Sequence, residues 1–338
     1  MELKVFESPG EEWDEFASRY TDLIFYQSVW SQVLKEGLGG QPLYFCLREG
    51  KEIVAGLPAV LLNFKIFKIL YASIPYGNII GEKDCFPVFL SCLEKEFVRR
   101  GIDQVRITDS PFWENRNPDP SFKPIENVCT LINLRDMDEE RLWKSHSKYV
   151  RRDIRRAQKN GIEVYKVVSK SDLDCLYKFY LNTMERNRAP AKYSRQLVST
   201  LYDFIETSKK GVLLMARMHH QPVAGVLLIH SNSSTHAFFG GSYGQFLKFY
   251  TNELLIHESL LQAIRCGHKV FDFMGSDKED EKLIWFKNKW GGQSVRVSTR
   301  VKDYHLLRCW MWNTLRSFIS TSIGSILTRA IRRESLKG

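Results

Sequence analysis

The sequence predicts an α+β fold in which one plan is used twice, each copy a mostly antiparallel central sheet flanked by helices. Three observations predict it. Hairpin signals begin near residues 43 and 212, helical periodicity follows from about 84 and 252, and a short apolar strand follows each helix from about 104 and 270. The same element order thus recurs at an offset of roughly 168 residues, the self-similarity of an internal repeat. A chain of 338 residues has room for two such copies at about 150 residues each.

In the first copy, a strand at Leu3–Phe6 precedes helices at Glu11–Arg19 and Ser28–Leu38, the second stopped by Gly39-Gly40. After Pro42 the hairpin runs from Leu43 to Leu47, turns at Glu49-Gly50-Lys51, and returns from Ile53 to Leu62. A strand at Ile66–Tyr71 leads to the turn Ser73-Ile-Pro-Tyr-Gly-Asn78. Apolar residues at Val88, Phe89, Cys92, Leu93 and Phe97 predict a helix from Phe86 to Arg100, and Gln104–Thr108 a strand. A Pro- and Asn-rich loop at 110–127 precedes a strand at Val128–Leu134.

A basic helix is expected over 144–160, with Trp143, Val150, Ile154 and Ala157 on one face and Lys148, Arg151, Arg152, Arg155, Arg156 and Lys159 around the rest. The second copy follows: a strand at Ile162–Val168, helices at Ser171–Glu185 and Ser194–Thr207, and a hairpin at Val212–Met218 and Val223–His230 turning through His219-His220. Next come a strand at Thr235–Phe239, a turn at 240–244, a helix at Thr251–Arg265 and a strand at Lys269–Phe273. The resulting division is 1–145, 146–302, and a basic amphipathic C-terminal helix at 303–338.

Lys+Arg 49 against Asp+Glu 39 gives a net charge of +10, which favours an acidic partner without choosing among nucleic acid, a phosphorylated small molecule and an anionic membrane surface. No DNA- or RNA-reading motif is present, and no DNA partner is expected. The seven cysteines are scattered, with no C-x-x-C and no spacing suited to zinc, so no metal is expected and the thiols read as reduced. The acidic start M-E-L-K-V-F-E-S-P-G-E-E-W lacks the apolar core of a secretory signal, and a cytoplasmic protein is expected. Arg308, Arg316 and Arg329 interrupt the apolar stretch from Leu306 to Ile331, which therefore does not read as a span. That tail either packs on its parent domain or lies on the anionic inner leaflet of a membrane.

The most unusual stretch is 271–292, F-D-F-M-G-S-D-K-E-D-E-K-L-I-W-F-K-N-K-W-G-G. Lys287 and Lys289 alternate with large aromatics, an arrangement in which the stems pack and the charges face a cleft. A helix end closed by the glycine pair is the structural alternative.

As an ordered set, S-K-Y-V-R-R-D-I-R-R-A-Q-K-N-G-I-E-V at 147–164, F-F-G-G-S at 238–242, T-N-E-L-L-I-H-E at 251–258, F-D-F-M-G at 271–275 and F-K-N-K-W-G-G at 286–292 resemble the FemAB family of transferases, as does I-P-Y-G at 74–77 in the first copy. The resemblance implies two tandem acyltransferase domains of the GNAT superfamily. It implies transfer of an acyl or aminoacyl group from aminoacyl-tRNA or acyl-CoA, with no tightly bound cofactor. The acceptor it implies is an amine of a cell-envelope precursor, either a peptidoglycan peptide or an amino sugar of a phosphorylated or lipid-linked glycan. By the same resemblance Lys287 supplies positive charge near the transferring ester, and Phe286 positions the lysine or the acceptor end of the donor. A non-catalytic tRNA- or glycan-binding protein of the same fold is the alternative.

Other candidates follow from position and chemistry. Asp109 and Asp272 end the two repeated strands, where a carboxylate can orient or deprotonate an amine; a turn or capping role is the alternative, and the stronger one for Asp272. Tyr76 and Gly77 in one turn and Tyr243 in another line a cleft or pack. Ser242 sits in the glycine turn and Asn252 at the start of the next helix, where backbone N–H groups attract anions. The turn lacks the Arg/Gln-x-x-Gly-x-Gly/Ala pattern with which ordinary GNAT acetyltransferases hold coenzyme A. Arg151, Arg152 and Arg155 present guanidinium forks suited to phosphate.

Overall fold

The computed structural model describes residues 1–112 and 119–320, without the side chains of 315–320. In chain order the first copy contains β1 (Glu2–Phe6), α1 (Glu11–Ser18), α2 (Ser28–Leu38), β2 (Gln41–Glu49), β3 (Glu52–Asn63), β4 (Lys68–Ala72), β5 (Ile80–Gly81), α3 (Phe86–Arg99), β6 (Gln104–Thr108) and β7 (Lys123–Asn133). Then follow α4 (Glu139–Ser145), α5 (Lys148–Lys159), β8 (Ile162–Lys166), α6 (Leu173–Arg186), α7 (Arg195–Ser208), β9 (Gly211–Met218), β10 (Gln221–His230), β11 (Ser234–Ser242), α8 (Thr251–Arg265), β12 (Val270–Asp277), α9 (Glu281–Asn288), β13 (Gln293–Asp303) and α10 (Leu306–Ser320).

The two expected sheets are one. Its order is β1-β2-β3-β4-β6-β13-β7-β12-β11-β10-β9-β8, with β5 added to β3. The first six strands mirror the last six, and the offset between copies is 170 residues, from 41 to 211 and from 123 to 293. The last strand of each copy is exchanged. β7 pairs antiparallel with β12, β13 reaches back antiparallel to β6, and the two meet each other with Asn127 opposite Val297. Those two residues are equivalents at the 170-residue offset, so an approximate two-fold axis passes between them.

One face of the sheet carries α1, α2, α6 and α7 over a core shared by both copies, which includes Trp30, Leu34, Phe179, Leu197 and Phe204. Gly37 lets α2 approach α7: a Cβ there would meet Leu197 Cδ1 at 2.5 Å. The other face is covered by α3 in the first half and by α5 and α8 in the second. Successive residues of β2 serve both faces, Leu43, Phe45 and Leu47 against α3, Tyr44 and Cys46 in the shared core.

Several elements differ from the sequence expectation. β7 begins at Lys123, inside the expected loop, because Lys123–Glu126 pair with β13 while exposed on their faces, leaving no apolar alternation to read. The basic helix is two helices. His146 adopts an extended backbone between them, Ser147 caps α5 by accepting from Val150 N, and His146 is buried against His257 and Trp290. β11 runs through the expected glycine turn to Ser242, and β12 runs to Asp277 through a bulge. β13 (Gln293–Asp303) forms where no element was expected and ends where the expected tail begins. Of the C-terminal helix expected at 303–338, α10 accounts for Leu306–Ser320, and 321–338 lie outside the described residues.

Candidate active site

β11 and β12 pair in parallel over Ser234–Val270, Thr235–Phe271 and His236–Asp272, then part. The fork opens a cleft of about 230 Å³ walled by the free edge of β11, by Phe271 and Phe273 of β12, and by α8 and α9. On its pairing with β10, β11 has a second irregularity: Leu227 faces Phe239 and Leu228 faces Ala237, so Phe238 is left over. The glycines of F-F-G-G-S serve close packing, since a Cβ on Gly241 would stand 2.5 Å from the backbone of Phe179 in α6. Among the described residues the equivalent fork of the first half is closed. There β4 and β6 also run parallel, but after Ala72 the chain turns through a cis Ile74-Pro75 bond and lays Gly77 against Thr108. A Cβ on Gly77 would meet Ala72 O at 2.4 Å, so the turn fills its own fork.

Lys287 enters the second-half fork from the last turn of α9 and is only 7% exposed. Its Nζ donates to Met274 O at 2.9 Å and Ser276 Oγ at 2.7 Å. Both acceptors come from the β12 bulge, where Asp272 faces Leu131 and Gly275 already faces Cys129. Met274, at φ +63°, stands out of the ladder. An ammonium has three N–H donors; two are engaged, and Lys287 lines the cleft. Burial pushes its pKa down to about 8, with the negative charge of Asp272 and, more weakly, Cys129 and Asp280 pulling it back up.

Behind the bulge, Asp272 is fully buried and gathers donors from both halves. Its Oδ2 accepts from Tyr76 Oη and His236 Nδ1, both at 3.0 Å, and its Oδ1 from Met274 N at 2.7 Å. His236 Nε2 in turn meets Ser231 Oγ and Ser234 Oγ. With its proton committed to Asp272, the Tyr76 hydroxyl receives the Cys129 thiol at 3.2 Å. Burial and the neighbouring carboxylate hold the Tyr76 phenol well above its ordinary range.

The structure brings Lys287, Phe286, Ser242 and Asn252 together around the cleft. Tyr76 reaches Asp272, on the far side of β12 from the cleft-lining Phe271 and Phe273, and Gly77 belongs to the closed first-half fork. Tyr243 packs edge-on against Phe179. Asp109 lies elsewhere, accepting from Asn78 Nδ2 at 2.7 Å and paired with Arg300 at 3.4 Å. Lys289 pairs with Glu253 at 2.8 Å and stands over the Phe286 ring at 4.4 Å. Arg151 donates to the carbonyls ending α4, Arg152 pairs with Asp153, and Arg155 covers the Trp143 ring. Sequence reasoning missed His236, Cys129, Met274 and Ser276. Their roles arise from the fork and the exchanged β7, which no local pattern announces.

The family model described as an acetyltransferase (GNAT) domain matches residues 144–283, the span that holds the fork and most of the cleft wall. FemX covers 95% of this chain and all of its own at TM-score 0.65 and 13% identity. The chain therefore carries a GNAT domain, and its whole fold is similar to that of FemX. A tandem GNAT protein from the clavulanic acid biosynthesis pathway is similar over 89% of this chain and 98% of its own, at TM-score 0.60 and 8% identity. L-PGS from Bacillus licheniformis follows at TM-score 0.55 and 11% identity, with coverage of 88% and 93%. No curated protein sequence matches the chain. The β11/β12 fork lies within the matched GNAT domain, and Phe286 and Lys287 of the cleft wall follow just after it.

Proposed function

We propose that this protein transfers an acyl or aminoacyl group from an activated ester or thioester to an amine of a cell-envelope precursor, a peptidoglycan peptide or an amino sugar of a glycan. The observation that carries the reading is Lys287: a buried ammonium, fixed by Met274 O and Ser276 Oγ, with a donor left for the fork. Attack of a neutral amine on the donor carbonyl places negative charge on its oxygen, and a positioned, poorly hydrated cation stabilises that charge more than it stabilises the ground state. The amine–carbonyl bond forms, the ester or thioester bond breaks, and the amine proton leaves with the alcohol or thiol.

Phe286, under Lys289, lines the cleft together with Lys287. The free β11 edge offers backbone groups to an extended donor arm, and Ser242 and Asn252 flank its outer end. Asp109, tied to Asn78 and Arg300, is assigned to holding the 73–78 turn shut rather than to proton transfer. The exposed cations of α5 remain the candidate phosphate contact for tRNA or a diphosphate-linked acceptor, with Arg152 better placed than Arg151, whose guanidinium is engaged by carbonyls.

The test is to incubate the protein with labelled aminoacyl-tRNA and, separately, labelled acyl-CoA, each with amine-bearing envelope precursors, and to follow amide formation. Transfer from either donor supports the reading and names the donor. Binding of donor and acceptor without amide formation in both arms contradicts it.

A further inference from the structure

The β3–β4 hairpin and α10 pack together on the first half, and both carry exposed apolar side chains. Trp312 lies between Phe64 and Phe67, with ring centroids 4.7 and 5.0 Å away, and Cys309 is buried beside Phe67 and Ile69. That face fastens the helix. The opposite face is apolar as well: Leu306 is 74% exposed, Leu307 63%, Trp310 65% and Met311 51%, while Ile66 at the hairpin tip is 69% exposed. Exposed large side chains gathered in this way mark a surface that meets something.

We propose that this surface docks the protein on an anionic lipid bilayer, with Ile66, Leu307, Trp310 and Met311 entering the interfacial layer. Charge selects this occupant over a second copy of the chain. Lys65 stands exposed between Phe64 and Ile66 at the hairpin tip. Past residue 312 the sequence adds Arg316, Arg329, Arg332, Arg333 and Lys337 against Glu334 alone. A two-fold dimer through this face would set Lys65 against its own copy and bring together two chains of net charge +10, whereas anionic headgroups neutralise that charge. Amphipathic Trp beside basic residues is also the composition of an interfacial anchor. Among the described residues no helix is long and apolar enough to cross a membrane, so the contact is shallow insertion.

Binding is read without turnover, so this inference and the transfer reading fail independently. The full chain is sedimented with vesicles of phosphatidylcholine alone and of phosphatidylcholine mixed with phosphatidylglycerol. The expected result is binding to the mixed vesicles, weakened by salt, and lowered at least about tenfold in an Ile66→Ser, Trp310→Ser, Met311→Ser variant. Because all three side chains are exposed, the variant keeps the circular dichroism and melting point of the parent. Lys65→Glu, a second variant that removes no apolar contact, also weakens binding to the mixed vesicles. Absence of wild-type binding to the mixed vesicles, or equal binding by the triple variant, overturns the proposal. So does a concentration-dependent dimer that Trp310→Ser dissolves while vesicle binding is unaffected.

Discussion

Lys287 is held against its own solvation. Its folded pKa near 8 lies below the ordinary lysine value of 10.5, so between those pH values the unfolded chain binds the extra proton and stability rises with pH. Below about 8 both states are protonated and the full penalty is present. At 1.36 kcal/mol per pKa unit this is roughly 3 kcal/mol, offset in part by two hydrogen bonds. Lys287→Met is therefore expected to raise stability by roughly 1–2 kcal/mol at neutral pH and to lose the rise between pH 8 and 10.5, read by denaturant titration. A lysine retained for packing would give the opposite sign. Since the proposed transfer uses the ammonium form, transfer by the wild type is expected to decline as pH climbs through about 8. Asp272→Ala strands Tyr76, His236 and Met274 N without an acceptor and is expected to destabilise by about 3 kcal/mol or more. It also removes the charge that lifts the Lys287 pKa, so in any folded fraction the decline moves to lower pH. Lys287 and Phe286 were legible because aromatic–lysine alternation is local. Asp272 was legible as a strand-end carboxylate with a turn or capping role the stronger reading, but its partners Tyr76 and His236 come from strands and turns distant in sequence.

Elements explain why one fork is open and the other shut. β4 and β6 diverge as β11 and β12 do, and the 73–78 turn occupies the space. Gly77→Ala forces a Cβ into the Ala72 carbonyl and is expected to destabilise by about 2–4 kcal/mol, measured by thermal melting. Most helices and strands were legible to within a few residues because their burial follows period 3.6 or 2. Where a backbone partner decides, the pattern was silent: Lys123–Glu126 look like loop yet form β7, and the charge run at 144–160 conceals the break at His146. The bulge at Met274 likewise reads as a turn signal, although it is the feature that turns two acceptors toward Lys287.

At the scale of the molecule, the repeat was legible from element order, whereas the strand exchange was not, because both arrangements share one linear sequence. Each half is completed by a strand from the other, and the shared core joins α2 to α7. Separate expression of 1–135 and 136–338 is expected to give two chains that do not fold alone and that regain β-sheet circular dichroism on mixing; cooperative folding of either piece by itself would contradict the exchange. The exchange also places Cys129 of β7 behind the bulge, so the proposed transfer cleft depends on both halves. The most direct test is amide formation by Lys287→Met with the donor the wild type uses, under single-turnover conditions and with its melting point recorded. The account predicts a loss of about 100- to 1,000-fold in the transfer step in a protein at least as stable as the parent. Undiminished transfer by that folded variant would contradict it.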